Sequence, residues 1–258
     1  MPSEDPARRR VGLFVTCLVD LMRPRVGFAA AKLLEDAGFV VEVPPQTCCG
    51  QPAYNNGDPA TARTLAEQVI TAFESYDFVV VPSGSCGGML KHHYVGLFDD
   101  APEWAARAKA FSAKVYELTN FLVEIAQVQK LDVIYDGTVT YHDSCSGLRE
   151  LGIKTQPRKL LGMVTGLSIA EMEEGEACCG FGGTFSVKYP DISGAIVARK
   201  AGNIAATGAP MVVAGDLGCL MNIAGRLQRE GKQVQARHVA EVLAGMAHEP
   251  AIGEPERS

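Results

Sequence analysis

The sequence has no apolar run approaching the roughly 20 residues that a membrane-spanning helix needs, so no transmembrane segment is expected. It has no surplus of positive charge either. Its 24 Lys and Arg stand against 30 Asp and Glu, a net charge of −6, and an acidic chain lacks the basic face that nucleic-acid binding requires. C-x-x-C is missing, which disfavours a dithiol redox enzyme of the usual spacing. No G-x-G-x-x-G follows the first strand pattern and no Walker lysine is present, so nucleotide binding is without its usual signature.

What the chain does have is 258 residues, 47% of them hydrophobic and 21% charged, and eight cysteines. That balance is ordinary for a globular protein and fits one large α/β domain or two of roughly 120 residues. A core of this size needs no disulfide framework. Arg8-Arg9-Arg10 followed by an apolar stretch resembles an export signal. Asp20 and Arg23 soon interrupt the stretch, however, and cleavage would remove Cys17. The expectation is a cytoplasmic protein whose cysteines, in a reducing compartment, bind metal or react rather than form disulfides.

Strand and helix patterns alternate along the chain. Val11–Val15 is a short β-rich run ending near Cys17, and Gly27–Ala37 has helical spacing closed by Gly38. Val40–Val43 leads into Cys48-Cys49-Gly50. Asp58–Ser75 reads as a helix with Asp58 as N-cap and Pro59 at its first position. Phe78–Val81 then delivers Cys86. Pro102–Val128 reads as a helical stretch between two halves, with the boundary near residue 132. The second half repeats the order: strand Thr138–Tyr141 before Cys145, a helix around Gln156–Val164, a strand near Leu167–Met172, then Cys178-Cys179-Gly180. A helix over Asp191–Thr207, a strand at Met211–Ala214 before Cys219, a helix to Arg229, a strand at Val234–Arg237 and a helix from His238 to Met246 complete it. This predicts an α/β fold of two similar Rossmann-like βαβ halves with mostly parallel sheets. The domains would cover residues 11–131 and 132–247, with disordered tails at 1–10 and 248–258.

Cys17, Cys48, Cys49 and Cys86 match Cys145, Cys178, Cys179 and Cys219 at offsets of 128, 130, 130 and 133 residues. In open α/β sheets ligands gather at the carboxyl ends of strands, so each half can converge four thiols on one crevice. Adjacent residues in extended chain point to opposite faces. A vicinal pair therefore reaches a single ion only through a tight turn, whereas a polynuclear cluster offers separate irons to neighbouring thiolates. Gly50 and Gly180 permit such a turn. Gly182 and Gly183 extend it, and successive N–H groups in this loop can donate to the sulphurs of an anionic cluster. The alternatives are buried structural thiols and zinc, for which four thiolates also make a closed site.

Cys-Cys-Gly flanked by distant cysteines resembles the cysteine-rich CCG domain of the heterodisulfide reductases and of the iron–sulphur subunits of glycolate and glycerol-3-phosphate oxidases. The stretches LFVTCLVD (13–20), CCGQPAYN (48–55), PSGSC (82–86), YELTNF (116–121), CCGFGGTFSVK (178–188) and GCLMNIAGRL (218–227) are similar to the lactate utilisation protein A family, nearly throughout Val11–Leu243. That resemblance implies one or two iron–sulphur clusters, of 4Fe–4S type, held by the eight cysteines. It also implies a part in oxidising L-lactate to pyruvate beside two partner proteins, one a ferredoxin-like iron–sulphur subunit. The heterodisulfide reductases end each motif in a further C-x-x-C, where this chain has Ser83 and Asp216 at the first position. Related lactate proteins tend to have cysteine where it has Leu217 and histidine where it has Ser146. Asp216 is open to two readings, an oxygen ligand or a turn residue.

His142 and Asp143 could bond cluster sulphurs or move protons, but strand-end and turn roles are favoured. His92-His93 would lie on different faces of a helix and is discounted as a ligand pair. Arg199 and Lys200 read as a solvated helix face. No base for lactate stands out, so the leading expectation is an electron-transfer subunit whose catalytic residues, if any, are unknown. The competing functions are a thiol or heterodisulfide reductase and a zinc-stabilised scaffold, with zinc in one or both halves.

Overall fold

The computed structural model describes residues 9–255. Of the expected N-terminal tail, residues 1–8 lie outside the described residues, while Arg10 already opens the first strand. Strands β1 (Arg10–Leu13), β2 (Val40–Glu42), β3 (Phe78–Val81) and β4 (Val115–Glu117) form one sheet in the order β2-β1-β3-β4. Strands β5 (Ile134–Tyr141), β6 (Thr165–Ile169), β7 (Met211–Ala214) and β8 (Gln235–His238) form a second in the order β6-β5-β7-β8. Every pairing is parallel. The two halves therefore share one topology, as the cysteine repeat requires. Phe78–Val81 and Met211–Ala214 are continuous apolar runs because a parallel strand covered on both faces has no solvent side to mark.

Helices cover the sheets. Asp58 caps Pro59–Phe73, its carboxylate accepting the Thr61 N–H at 3.0 Å. The matching helix of the second half is Pro190–Ala206. The stretch 102–128, expected to be helical, is interrupted by a strand. A helix over Pro102–Ala113 ends before β4, which completes the first sheet, and a helical turn at Leu118–Asn120 follows. Three residues are too few to show a strand period.

The C-terminal segment also departs from expectation. Ala251 is buried, the Ile252 N–H bonds to the Ala236 carbonyl at 3.0 Å, and the Pro250 carbonyl accepts from Arg23 at 2.7 Å. The chain as far as Pro255 thus includes packed residues where disorder was expected, and 256–258 lie outside the described residues. Arg23 belongs to the first half, so this segment helps join the two.

Two further contacts bring the halves together. Helix Pro24–Asp36 packs on helix Val239–Leu243, and one apolar core runs through both halves, from Leu33 and Leu34 to Val239 and Leu243. Helix Gly84–Gly88 packs on helix Cys145–Arg149. The second contact is backbone on backbone. A Cβ on Gly84 would lie 2.8 Å from the Gly147 nitrogen, inside any tolerable contact. Because these two helices each carry a cysteine of a different quartet, this approach fixes the quartets on facing edges.

Candidate metal centres

Each cysteine outside the vicinal pairs occupies the first turn of a helix that begins directly after a strand. Cys17 opens Cys17–Met22 after β1, and Cys145 opens Cys145–Arg149 after β5. Cys86 is third in Gly84–Gly88 after β3, and Cys219 is third in Leu217–Arg229 after β7. Side-chain caps set the first three helices. Thr16 accepts from Val19 N–H, Ser144 from Gly147 N–H and Ser83 from Cys86 N–H, each at 3.3 Å. A helix N-terminus carries partial positive charge, which favours thiolate over thiol. The vicinal pairs arrive on loops whose glycines, Gly50 and Gly180, both sit at φ +82°. A Cβ on Gly180 would also lie 2.7 Å from the Ser193 carbonyl, so glycine is needed there on two counts.

These elements bring all four thiols of each half together. Cys17 and Cys48 Sγ are 3.9 Å apart, and Cys49 and Cys86 Sγ are 3.4 Å apart. All eight cysteines are free, four of them buried and four partly exposed. In the second half the Gly180 N–H donates to Cys178 Sγ at 3.2 Å, the loop donor the sequence suggested. The buried member of each vicinal pair is held through its carbonyl. Tyr94 Oη donates to Cys49 O and Asn222 Nδ2 to Cys179 O, both at 2.9 Å.

One sulphur per half is poised as a thiolate. Cys48 is held down to about 2 by bonds from Cys17, then Cys49, then loop N–H groups against the cost of burial. Cys178 is held down to about 2 by Cys145, Cys179 and the Gly180 N–H. The same bonds, with burial, push Cys17, Cys49, Cys145 and Cys179 up. A soft, sulphur-only donor set whose protons a metal can replace fits zinc or an iron–sulphur cluster.

The halves are not copies in detail. Ser83 and Asp216, the two positions where a fifth cysteine was absent, meet each other. Asp216 Oδ2 accepts from Ser83 Oγ at 3.1 Å and from Ser85 N–H at 3.0 Å. Asp216 thus locks one half to the other, and its side chain makes no capping bond to its own helix. His142 directly follows β5, a strand-end position as expected, but its side chain enters the second quartet. Its ring and the sulphurs of Cys179 and Cys219 offer ligand atoms all within 4.8 Å of one another. Burial pushes this imidazole down to about 3, so it is neutral. The matching residue of the first half is Phe14, and that difference was the available signal. Asp143 is structural, paired with Arg158 at 2.8 Å. His93 bonds Glu150 at 3.0 Å and packs beside the Tyr54 ring.

Lys200 is a correction. It is buried rather than solvated, its amine bonded to the Glu174 carbonyl at 2.7 Å and the Gly175 carbonyl at 3.1 Å. Arg199, its neighbour, is exposed as expected.

Sequence reasoning also passed over Glu117. It is buried at the end of β4, accepting from Thr119 N–H, Thr119 Oγ1 and Asn120 N–H at 2.8, 2.6 and 3.1 Å. Burial raises it from an ordinary 4.5 to about 7 despite those bonds. Between these values the folded chain holds more proton than the unfolded one, so stability falls as pH rises through the window and levels off above it. The shift corresponds to about 3 kcal/mol. In denaturant unfolding at pH 5 and pH 8, Glu117→Gln is expected to be relatively more stable than the parent at the higher pH. An equal difference at both pH values would exclude this account.

Duplicated parallel sheets, each gathering four cysteines at one edge, define a two-domain cysteine-rich protein. The family model described as "CCG: Cysteine-rich domain" matches residues 11–91 and 139–224, one stretch in each half. "Lactate utilization protein A" of Geobacillus kaustophilus is 48% identical over 235 residues, covering 91% of this chain and 98% of that protein. The protein of the same name from Bacillus cytotoxicus is 46% identical with the same coverage. The chain belongs to the lactate utilisation protein A family. Among solved structures, a hypothetical protein from Helicobacter pylori matches with a TM-score of 0.66 at 13% identity, over 93% of this chain and 49% of that one. That likeness concerns the fold.

Proposed function

We propose that this chain is an iron–sulphur electron-transfer subunit of a system that oxidises L-lactate to pyruvate. The reading rests on one observation above all: two quartets of free thiols, each gathered from two helix N-termini and one glycine-bearing loop, in a chain whose relatives carry the name lactate utilization protein A. Cys17, Cys48, Cys49 and Cys86 would hold one 4Fe–4S-type cluster in a domain spanning 11–131. Cys145, Cys178, Cys179 and Cys219 would hold the other in a domain spanning 132–247. The cluster supplies one-electron chemistry when bound. The chain's part is to supply ligands, to donate N–H groups from the loops at Gly50 and from Gly180, Gly182 and Gly183, and to exclude water from one side.

Exposure supports transfer rather than substrate chemistry. In each half two cysteines are buried and two are partly exposed, which would set a cluster at the surface where a partner's carrier can approach. A ferredoxin-like iron–sulphur protein of the same system is the expected neighbour. No helix among the described residues is long and apolar enough to cross a membrane, and a cytoplasmic setting suits eight free thiols. Zinc is the second reading, favoured by the short sulphur separations of 3.9 and 3.4 Å. Two thiolates on one tetrahedral zinc would lie about 3.8 Å apart, from a Zn–S bond of about 2.3 Å.

Anaerobic purification separates the readings. Iron and acid-labile sulphide are expected, at about four irons per half for clusters of this type. Stoichiometric zinc with neither iron nor sulphide would refute electron transfer. A deletion strain with no other lactate oxidase is expected to lose growth on L-lactate, and normal growth would refute the lactate role.

A further inference from the structure

His142 is a neutral side chain whose two ring nitrogens make no hydrogen bond of normal geometry. It is fully buried, and neither Nδ1 nor Nε2 has a hydrogen-bond partner among the described residues. Leaving a buried polar group unpaired costs about 1–3 kcal/mol, and an imidazole offers two such atoms. The nearest chemistry is the second cysteine quartet, with Cys179 and Cys219 Sγ inside the same 4.8 Å sphere. The first half shows what the position looks like without this demand. Phe14 and His142 have the same backbone role, each N–H bonding to the neighbouring strand at 2.9 Å, to Val80 O and Val213 O respectively. Phe14 packs its ring against Phe73 in the apolar cluster that contains Cys49 and Cys86. A phenyl ring fills that space at no polar cost, so the fold itself does not call for histidine.

We propose that His142 is a nitrogen ligand of the metal bound beside Cys179 and Cys219, so that the second centre has a mixed sulphur and nitrogen shell and the first is all thiolate. The proposal rests on the reading that the quartets bind metal, and it holds for iron or zinc, since imidazole suits both. Histidine ligands usually turn their second ring nitrogen to a carbonyl or carboxylate, and the Gly175 carbonyl lies close to this ring. Lys200, a buried cation of the same half, is already committed to the Glu174 and Gly175 carbonyls. It corresponds in register to the buried Val69, counting from Pro190 and Pro59. The second centre is therefore the more polar of the two.

The test uses the full chain carrying Cys49→Ala, which confines metal to the second half. It is loaded anaerobically with ferrous iron and sulphide and, in parallel, with zinc alone. X-ray absorption at the edge of the bound metal is expected to show one nitrogen at about 2.0–2.1 Å beside sulphur at about 2.3 Å. Adding His142→Phe, which copies the first half, is expected to remove the nitrogen and weaken metal binding at least about tenfold. Should these variants fail to fold, the unsubstituted chain with 15N-histidine is expected to change its nitrogen couplings in pulsed electron paramagnetic resonance of the reduced, iron-loaded protein. An all-sulphur shell, couplings unaffected by the label, or no metal binding at all would overturn the proposal. The outcomes remain separable from the functional reading. Nitrogen on the loaded zinc with no uptake of iron and sulphide refutes electron transfer but upholds His142, while iron in an all-sulphur shell does the reverse.

Discussion

Replacing Cys179 by alanine is expected to strip the metal from the second half and leave the first half loaded. Cys179 is 2% exposed and lies between its neighbours, touching Cys178 on one side and Cys219 on the other. Its loss removes the sulphur that links the partly exposed members of the quartet to the buried one. The loop itself should survive, because Asn222 binds the backbone carbonyl of residue 179 and not its side chain. Iron and sulphide per chain are expected to fall to about half, because closed thiolate sites rarely tolerate a missing ligand. Cys49→Ala is expected to give the mirror result. Metal binding energy is folding energy in such sites, so the stripped half should also melt at lower temperature than the loaded one. Iron that is unchanged in Cys179→Ala would refute the ligand assignment.

Much of this centre was legible in the sequence alone, because cysteine spacing and strand pattern are local properties that repeat. The strands before Cys17, Cys86, Cys145 and Cys219 announce themselves as apolar runs, and equal offsets between the quartets imply equal topology. Relations between the halves were not legible. Asp216 is open in the sequence to an oxygen-ligand or a turn reading; it sits at the N-cap of Leu217–Arg229, but its carboxylate is bound by Ser83 and Ser85, more than 130 residues away in sequence. Lys200 looks like one more surface charge on a polar helix. Its burial depends on two carbonyls in a loop some 25 residues earlier. His142 was visible as a residue near a cysteine, yet whether its ring faces solvent or sulphur follows from the turn after β5. Aligning the two halves residue by residue would have flagged the contrast with Phe14. β4 was missed because tertiary pairing, not periodicity, makes a three-residue strand.

The same dependence on distant partners makes Glu241 the most consequential side chain outside the cysteines. Glu241→Ala is expected to cost about 3–5 kcal/mol, the usual penalty for leaving a buried charge alone. Its carboxylate is fully buried and meets Arg23 of the first half at 2.7 Å. It also accepts the His238 N–H at 3.1 Å, closing a capping box on helix Val239–Leu243. Without it, the Arg23 guanidinium keeps only the Pro250 carbonyl among the described residues, at 2.7 Å. Arg237 makes matters worse, since it is buried nearby with Nε and Nη1 unpartnered among the described residues. Two guanidinium groups would then share this interface without the buried carboxylate between them, with Glu254 the remaining acid acting on Arg237. Glu241→Gln should lose less, because an amide oxygen can keep the cap while the charge is gone. Thermal unfolding of the metal-loaded chain should shift down on the order of 10 °C for the alanine variant. The exposed pair Lys32–Asp36, at 2.6 Å on a helix surface, is the internal control. Breaking it should change stability by no more than about 0.5 kcal/mol. A Glu241→Ala variant as stable as that control would mean that the halves are held by their apolar contacts alone, and that the buried pair serves only to set which helices meet.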